Sequence, residues 1–481
     1  MPGATKIRSR AIKPVRLGVA LIPILFLVAA LSITIIVLKQ DAHIPLIGAA
    51  AVAAAVGIWH GHSWTSIQEG MIHGISLAMG AILILMVVGI MIGTWISGGI
   101  VPAMIYYGFK ILSPGIFLVA TLIICSIVSL GTGSSWSTAG TVGVALVGVG
   151  QGLGIPAAMV AGAIVSGSYF GDKMSPLSDT TNLAPAVAGT DIFTHVRHMV
   201  YTTAPSYLIS IILFGLIGIR FAGGHIASDK IGVISQTIEA NFQINPLLLL
   251  PPILVIVMVI LKIPPLPSLV GGAVLGAGFG LVLQGRSLTE MVTTAKAGFV
   301  SATGVPVVDD LLTRGGLDSM MSTVALILCA MSFGGIMERT GILQTLAEAL
   351  LKKVHRVGSL VATTILSCIG MNAIASDQYM AIVIPGRMYR SAYLKFGLHP
   401  KNLSRCLEDS GTLTSPLIPW NSCGAFMGAT LGVSPLLYLP YAFLNLINPL
   451  ISIFYGYTGI TIHKLTPEQV KTLEEDPERA I

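Results

Sequence analysis

The chain has 481 residues, of which 54% are hydrophobic and only 10% are charged, and its mean hydropathy is +0.85. Soluble proteins carry about 25% charged residues, so this composition excludes a soluble protein and predicts many membrane-spanning helices. The formal net charge of +6 comes from basic residues clustered between apolar runs, which argues against nucleic-acid binding. Five single cysteines show no spacing typical of a zinc site or a disulfide framework.

The first predicted span follows a basic tail. Residues 1–16 contain five Lys or Arg residues, and the apolar run after them extends from about Leu17 to Leu38. At 1.5 Å per residue this run crosses about 30 Å of hydrocarbon, and it is longer than the core of a secretory signal. Because Lys and Arg collect on the cytoplasmic side of a membrane, residues 1–16 are expected to form a cytoplasmic tail.

The sequence contains two similar halves. The matching residues occur in the same order, at distances of 224 to 242 positions: Ser63, Thr65 and Gly74 with Ser287, Thr289 and Gly298; Leu118–Thr121 with Leu360–Thr363; Gly131 with Gly370; Ser175–Leu177 with Ser415–Leu417. The constant order and the nearly constant distance indicate an internal duplication. In this alignment Asp377 nearly coincides with Thr138, so its carboxylate has no counterpart in the first half.

The distribution of positive charge predicts that the second half is inverted. Eight Lys or Arg residues lie between positions 352 and 405, whereas the aligned part of the first half holds only Lys110. Cytoplasmic segments are rich in Lys and Arg, so these two stretches are expected to face opposite sides. Basic residues on both sides of Gly370–Gln378 predict a re-entrant hairpin there, and Gly131–Thr138 is the tip of its counterpart.

The predicted fold is an all-α polytopic membrane protein with two inverted repeats, each with about five spanning helices, a re-entrant hairpin and broken helices. An odd number of crossings per repeat agrees with inversion and places both termini inside. Amphipathic surface helices are predicted for 100–112 and 342–355, with ordinary connecting loops as the alternative. The predicted segments are 1–16 cytoplasmic tail, 17–223 first repeat, 224–244 linker, 245–460 second repeat and 461–481 cytoplasmic tail.

Four polar stretches interrupt the apolar segments at matching positions of the two halves. They are Gly131–Thr138, Gly171–Asn182, Gly370–Asp377 and Gly411–Ser422. Irregular backbone at membrane depth is stable only where protein or water satisfies it, and paired interruptions in duplicated membrane proteins mark substrate sites. Unwound carbonyl groups, hydroxyl groups and carboxylates are the oxygen ligands that a hard cation such as sodium requires. Exposed loops between spans are the alternative interpretation.

Asp172, Asp179 and Asp377 are the candidate carriers of charge, because an ionisable residue at membrane depth is costly and is a functional candidate by default. Burial favours the protonated carboxyl group and a nearby cation favours the carboxylate, so such a site holds either sodium or a proton. An alternative for Asp172 is a charge pair with Lys173. The candidate neutral ligands are Thr132, Ser134, Ser137, Ser178, Asn182, Asn372, Ser376, Thr414, Ser415 and Asn421.

Glu408 and Asp409, at the start of the helix before the fourth polar stretch, are assigned no direct role. A position along an access path is the alternative for both residues. No metal-ligand cluster of His and Cys accompanies them, and Na+ itself is the metal ion expected at Asp179 and Asp377.

The run Gly171–Ala184 resembles the signature of the NhaC family of sodium/proton antiporters. Gly131–Thr138, Asp310–Gly316 and 415–421 are also similar to that family, and the resemblance covers nearly the whole chain. It implies the fold of the ion transporter superfamily, with inverted repeats, re-entrant hairpins and an elevator-like moving domain. It also implies a secondary active transporter of the cytoplasmic membrane that exchanges Na+ for H+ by alternating access.

Some members of that family exchange malate and protons for sodium and lactate, which is the alternative function. An organic anion requires fixed positive charge or helix N-termini, and Lys173 is the cation within the polar stretches. A passive channel and a membrane enzyme are disfavoured, and the sequence has no HExxH, GxSxG or paired His and Cys set. No cofactor is expected. The expected partners are Na+, H+ and the lipid bilayer, small carboxylates in the alternative function, and a second copy in a homodimer.

Overall fold

The computed structural model describes residues 14–222, 225–352, 354–466 and 469. Most of the two predicted tails, namely residues 1–13 and nearly all residues after 466, lies outside the described residues. Within the described part the chain is helical, and the segment 224–244, predicted as a linker, contains a helix of 17 residues.

The described residues form 23 α-helices and six shorter helical segments. The α-helices are α1 (Leu17–Leu31), α2 (His43–Trp59), α3 (Trp64–Ser97), α4 (Ile100–Ile111), α5 (Phe117–Thr132), α6 (Ser135–Thr138), α7 (Val144–Gly152), α8 (Ala157–Met174), α9 (Asp179–Ala188), α10 (Ile192–Ile219), α11 (His225–Asn241), α12 (Leu250–Ile260), α13 (Pro265–Val282), α14 (Leu288–Ala297), α15 (Pro306–Leu312), α16 (Leu317–Arg339), α17 (Ile342–Leu351), α18 (Val357–Ile374), α19 (Gln378–Lys395), α20 (Lys401–Leu407), α21 (Ser422–Leu431), α22 (Pro435–Tyr438) and α23 (Phe443–Thr458). The shorter segments are π-helical at Ser32–Val37, Ala139–Gly143 and Glu408–Thr412, and 3-10 helical at Pro246–Leu249, Ser415–Leu417 and Leu439–Tyr441.

Six helices of the described part are long and apolar enough to cross a membrane, and up to eight spans result if each of two sharply bent helix pairs counts as one. The six are Leu17–Ile35, Trp64–Ser97, Ile192–Ile219, Pro265–Val282, Leu317–Arg339 and Val357–Ile374. Large apolar side chains such as Leu25 and Ile212 are exposed on these helices, as expected where lipid replaces water. The predicted multi-pass helical membrane protein is confirmed.

Helix α5 and the segment from α6 to α7 form the first predicted hairpin. Gly150, near the end of α7, packs against the ring of Phe117 at the start of α5, so the two arms are antiparallel. The chain reverses at Gly133, whose φ is 67°, and a Cβ there would lie 2.7 Å from the backbone of the polar stretch that follows α8. Ser134 then caps α6 by accepting a 3.1 Å hydrogen bond from the N–H of Ser137.

Helices α18 and α19 form the second predicted hairpin. Hydrogen bonds of 2.7 Å between Ser367 and Tyr389, and of 3.2 Å from Tyr393 to Thr364, join its arms and show that they are antiparallel. The chain reverses at Ser376, whose φ of 61° is uncommon for a residue other than glycine. The hairpin tip is therefore held in a strained backbone conformation by its surroundings.

The helix boundaries recur in the two halves. Gly99 (φ 78°) precedes α4 and Gly341 (φ 73°) precedes α17, 242 positions later. Gly189 (φ 86°) follows α9 and Gly432 (φ 67°) follows α21, 243 positions later. A left-handed residue at each helix end fits glycine, and the shared spacing agrees with the predicted duplication.

The two hairpin tips correct one detail of the sequence alignment. Ser134 and Asp377 are the N-caps that directly follow the chain reversal in the first and second hairpins. Asp377 therefore corresponds to Ser134 and not to Thr138. A carboxylate in the second hairpin occupies the position of a hydroxyl group in the first.

Helices α12 and α13 form a third hairpin that the sequence did not predict. Gly271 packs against Met258 and Gly272 packs against Val255, so these two helices are also antiparallel. Their turn contains Lys262, whose φ of 66° is again positive. This turn brings a cation beside the two predicted hairpin tips.

Candidate functional site

The first hairpin tip contacts the polar stretch after α8 through Asp172. This residue lies in the last turn of α8, is 6% exposed, and accepts 2.6 Å hydrogen bonds from the hydroxyl groups of Ser135 and Ser178. Ser135 belongs to α6 and Ser178 directly precedes α9, so one carboxylate joins three helices. Each of its oxygens has one donor and keeps acceptor capacity for a further ligand.

The second hairpin tip contacts the fourth polar stretch at Asp377. Its Oδ1 accepts hydrogen bonds from the N–H groups of Tyr379 (2.9 Å) and Met380 (3.2 Å), and its Oδ2 accepts one from the Ser422 hydroxyl (3.3 Å). The N–H of Ser422 donates to the carbonyl of Ser376 at 2.9 Å. These contacts hold the carboxylate at the N-terminus of α19, where the helix dipole favours negative charge.

Asp179 connects the first half of the site to the second. It is the first residue of α9 and is exposed, and its Oδ2 accepts a 3.4 Å hydrogen bond from the hydroxyl of Tyr379. Tyr379 follows Asp377 by two positions. The tip of the second hairpin therefore contacts a polar stretch of the first half.

A single cavity of about 480 Å³ lies between these segments. All three candidate aspartates line it, together with the middle of α3 and the turn between α12 and α13. The lining residues are Leu77, Gly80, Ala81, Ile84, Thr132, Gly133, Ser134, Ser135, Trp136, Asp172, Leu177, Asp179, Thr180, Val259, Lys262, Ile263, Pro264, Pro265, Asp377, Gln378, Tyr379 and Ser422.

Lys173 is paired with Asp409 and not with Asp172, so the alternative charge pair is wrong. The Nζ of Lys173 forms a salt bridge with the carboxylate of Asp409 and donates a 3.2 Å hydrogen bond to Asn448. Successive helical residues point about 100° apart, so Asp172 faces the cavity while Lys173 faces a separate buried cluster. Both partners of the salt bridge are fully buried.

The sequence model of a family described as the Na+/H+ antiporter family matches residues 167–460. This range contains all three cavity aspartates, Asp172, Asp179 and Asp377, and the whole second hairpin. The chain belongs to the Na+/H+ antiporter family. Membership confirms the family predicted from the run Gly171–Ala184.

Three similar proteins illustrate the range of this antiporter family. The chain is 41% identical over 453 residues to the Na+/H+ antiporter NhaC of Alkalihalophilus pseudofirmus, covering 94% of this chain and 98% of that protein. It is 40% identical over 434 residues to the malate-2H+/Na+-lactate antiporter of Bacillus subtilis, covering 90% and 92%. It is 37% identical over 455 residues to the arginine/ornithine antiporter ArcD of Halobacterium salinarum, covering 94% of each.

Two of the ten predicted neutral ligands line the cavity of this antiporter-family protein, namely Thr132 and Ser134. Ser178 does not line the cavity, but its hydroxyl donates a hydrogen bond to Asp172, which does. Ser137 and Ser376 are buried, and their hydroxyl groups have no hydrogen-bond partner within the described residues. Both residues belong to the hairpin tips, so Ser137 and Ser376 stay predicted ligands.

Asn182 and Ser415 lie outside the cavity lining. The amide of Asn182 donates to the carbonyls of Pro176 (2.8 Å) and Ser178 (2.7 Å), so it holds the polar stretch before α9 in shape. The hydroxyl of Ser415 donates to Gln378 at 3.3 Å, and Gln378 lines the cavity. Both residues support the cavity wall from behind.

Asn372, Thr414 and Asn421 form a buried network behind the second tip. The amide of Asn372 donates to the carbonyl of Gly411 (2.7 Å) and to the hydroxyl of Thr414 (3.0 Å). The amide of Asn421 donates to the Asn372 side-chain oxygen at 3.2 Å. The network joins the arm of the second hairpin to the fourth polar stretch.

Several residues that line the cavity were not among the predicted ligands. They are Ser135, Thr180, Gln378, Tyr379, Ser422 and Lys262. The first five belong to the polar stretches or directly adjoin them, so a wider choice of hydroxyl and amide side chains in those runs could have found them. Lys262 had a different signal, since it is a single cation between two apolar runs, followed by two prolines.

Proposed function

We propose that this protein is a secondary active transporter that exchanges Na+ for H+ by alternating access. The observation that carries the proposal is the position of Asp172, Asp179 and Asp377, which reach one cavity from three separate interrupted segments. Asp172 and Asp377 are buried, and a buried carboxylate is stabilised by a bound cation or by a proton, so a cavity of this kind allows two unlike ions to replace one another. The protein is proposed to act without enzymatic chemistry and without a cofactor.

Asp179 and Asp377 are the proposed sodium ligands, and Asp172 adds a third carboxylate. Thr132 and Ser134 supply neutral oxygens from the cavity wall. The cavity lies beside Gly80, midway along the 34-residue helix α3, which supports a position deep in the membrane. Ser137 and Ser376, whose hydroxyl groups have no hydrogen-bond partner within the described residues, are also proposed as ligands. The other predicted ligands are proposed to shape the site from behind, namely Ser178, Asn182, Asn372, Thr414, Ser415 and Asn421.

The proposed architecture is a pair of inverted repeats, residues 17–223 and 245–460, in the cytoplasmic membrane with both termini inside. The recurring helix boundaries support the duplication, and the distribution of Lys and Arg supports the inversion. The two predicted hairpins are proposed to enter from opposite sides and to belong to an elevator-like moving domain. A homodimer is part of this proposal.

Exchange of organic anions is the second candidate function, and Lys262 is the observation that favours it. Lys262 is among the residues that line the cavity, and its side chain carries the positive charge that a carboxylate substrate requires. One relative is named a malate-2H+/Na+-lactate antiporter. The three aspartates oppose this function, because they give the cavity an excess of negative charge.

Transport by the purified protein in proteoliposomes separates the two functions. An inward Na+ gradient is expected to drive outward proton movement in vesicles that contain neither malate nor lactate. Addition of either anion is expected to leave the rate unchanged, and Lys262→Met is expected to retain exchange. Strict dependence on malate or lactate, lost in Lys262→Met, would instead establish the organic-anion function.

A further inference from the structure

A carboxyl group without a hydrogen-bond partner lies behind the cavity. Glu408 begins the π-helical segment Glu408–Thr412 and is fully buried, and neither of its carboxyl oxygens has a hydrogen-bond partner within the described residues. The hydroxyl of Thr412, one turn later, is also unpartnered. An ionised carboxylate without a donor is very costly in a dry interior, so a buried carboxyl group of this kind is a candidate proton carrier. Short π-helical segments are frequent at functional sites.

Two buried cations and one buried carboxylate lie next to Glu408. Lys173 forms its salt bridge with one oxygen of Asp409, and the Nε of Arg405 lies 3.9 Å from the other oxygen. Thr202 donates a 3.0 Å hydrogen bond to the same carboxylate. Within this cluster two cations face one anion, so ionisation of Glu408 balances the charge and protonation of Glu408 leaves one positive charge in excess.

Two hydroxyl-bearing residues link the surroundings of Glu408 to the cavity. Helix α9, which contains Thr180, packs against the segment Glu408–Thr412, and the Thr180 hydroxyl lies 3.1 Å from the Oγ of Ser178, which donates a 2.6 Å hydrogen bond to Asp172. Thr180 and Asp172 both line the cavity. Because Ser178 gives its only hydroxyl hydrogen to Asp172, Thr180 donates to Ser178 and has free lone pairs to accept a proton.

A concerted shift through these two hydroxyl groups moves one proton from Glu408 to Asp172. Each hydroxyl group passes on its own hydrogen and receives another, so Thr180 and Ser178 end unchanged. Glu408 becomes an anion and Asp172 becomes neutral, and Asp172 then releases the proton into the cavity. No other bond forms or breaks.

We propose that Glu408 is the residue that carries the transported proton, that sodium binds at the cavity aspartates, and that Thr180 and Ser178 form the proton path between them. This assignment rests on the Na+/H+ exchange proposed above and places the two ions on neighbouring carboxyl groups. Sodium beside Asp172 stabilises the anionic form of Glu408, and departure of sodium restores its proton. Antiport follows because the site favours one ion at a time.

The test measures two activities of reconstituted Glu408→Gln. One is Na+-driven proton movement, and the other is exchange of radioactive sodium for unlabelled sodium, which needs the sodium site but no proton. We expect Na+-driven proton movement to fall by roughly a hundredfold, the size of effect that loss of a proton-transfer group produces, while sodium/sodium exchange remains close to the wild-type rate. Glu408→Asp is expected to restore coupling with a shifted pH dependence. Glu348→Gln, at an exposed glutamate of α17, is the matched control and should behave as wild type.

Retention of Na+-driven proton movement with unchanged pH dependence in Glu408→Gln overturns the assignment. Loss of both activities also overturns it, because Glu408 is then required for folding or for movement and not for the proton. If the wild-type protein moves no protons under a sodium gradient, the proposed function fails and the assignment fails with it. The wild-type protein, measured in parallel, separates failure of the Glu408 assignment from failure of the proposed Na+/H+ exchange.

The proton path has its own test in Thr180. Thr180→Val removes the hydroxyl and keeps the branched shape, whereas Thr180→Ser keeps the hydroxyl. We expect Thr180→Val to slow Na+-driven proton movement by about tenfold or more without changing sodium/sodium exchange, and Thr180→Ser to resemble wild type. Equal proton movement in the two variants would show that the path does not run through Thr180.

Discussion

The hydroxyl of Ser135 donates a 2.6 Å hydrogen bond to the carboxylate of Asp172, although the two residues lie 37 positions apart and belong to α6 and α8. The tip of the first hairpin and the end of α8 therefore share one buried charge. Hydrogen bonds to an ionised group are stronger than those between neutral groups, so the two segments are expected to move together.

Ser135→Ala is predicted to weaken apparent sodium affinity. The change removes one of the two hydroxyl donors that orient Asp172, and a hydrogen bond to a charged group contributes about 1.5–3 kcal/mol, equivalent to roughly a tenfold to hundredfold change. The measurement is the sodium concentration for half-maximal proton movement in proteoliposomes. Ser210→Ala is the control, because Ser210 is buried in α10, bonds only to the carbonyl of Ser206 and does not line the cavity. Equal affinities in the two variants would exclude a role for the Ser135 bond.

Apparent sodium affinity is predicted to fall as pH decreases. Protons neutralise the carboxylates that sodium needs, so at low pH more sodium is required to displace them, and the affinity loss approaches about tenfold per pH unit for each competing proton. Half-saturating sodium should therefore be measured between about pH 6 and pH 9. Constant affinity over this range would mean that sodium and protons do not compete.

Lys173→Met is predicted to destabilise the protein strongly. It leaves the fully buried Asp409 without its main partner, and breaking one side of a buried ion pair costs about 3–5 kcal/mol. The control is Glu69→Gln, which breaks the exposed pair with Arg339 and should cost about 0–1 kcal/mol. Thermal unfolding of the purified variants compares the two losses. Similar stabilities would indicate that water reaches the Lys173 cluster.

Labelling of single cysteines is predicted to reveal the inversion. The arms of the second hairpin are antiparallel, so cysteines at Arg356 and Lys395 should react from the same side, which is expected to be the cytoplasm. Cysteines at Lys110 and Gln151, at the outer ends of the aligned first-half segments, should react from the outside. Labelling of all four positions from one side would contradict inversion.

The sequence predicted the breaks in the apolar segments, because residue type alone determines where such breaks occur. Glycine and proline interrupt apolar runs at Gly133 and Pro176, and the same interruptions in both halves indicated that the polar stretches meet. The structure shows that they do meet, through the contacts of Asp172, Asp179 and Asp377. The site roles of these aspartates stay predictions until transport is measured.

The sequence could not predict contacts that depend on the packing of distant helices. Lys173 stands next to Asp172, yet its partner Asp409 is 236 positions away on another helix. Glu408 was assigned no direct role from the sequence, and only the structure shows that it is buried without a hydrogen-bond donor. The left-handed conformation of Ser376 and the inward turn at Lys262 are likewise imposed by neighbouring helices, because neither residue type favours positive φ.

Sodium-induced proton movement by the Asp377→Asn and Asp179→Asn variants tests whether the cavity carboxylates carry out the exchange. The asparagine side chain keeps the shape of aspartate but can neither carry a proton nor give a cation a full negative charge. In proteoliposomes between about pH 6 and pH 9, an imposed sodium gradient is predicted to drive protons in the opposite direction through the wild-type protein. Each variant is predicted to show no sodium-driven proton movement. Wild-type exchange and wild-type pH dependence in both variants would contradict the assignment of the cavity carboxylates.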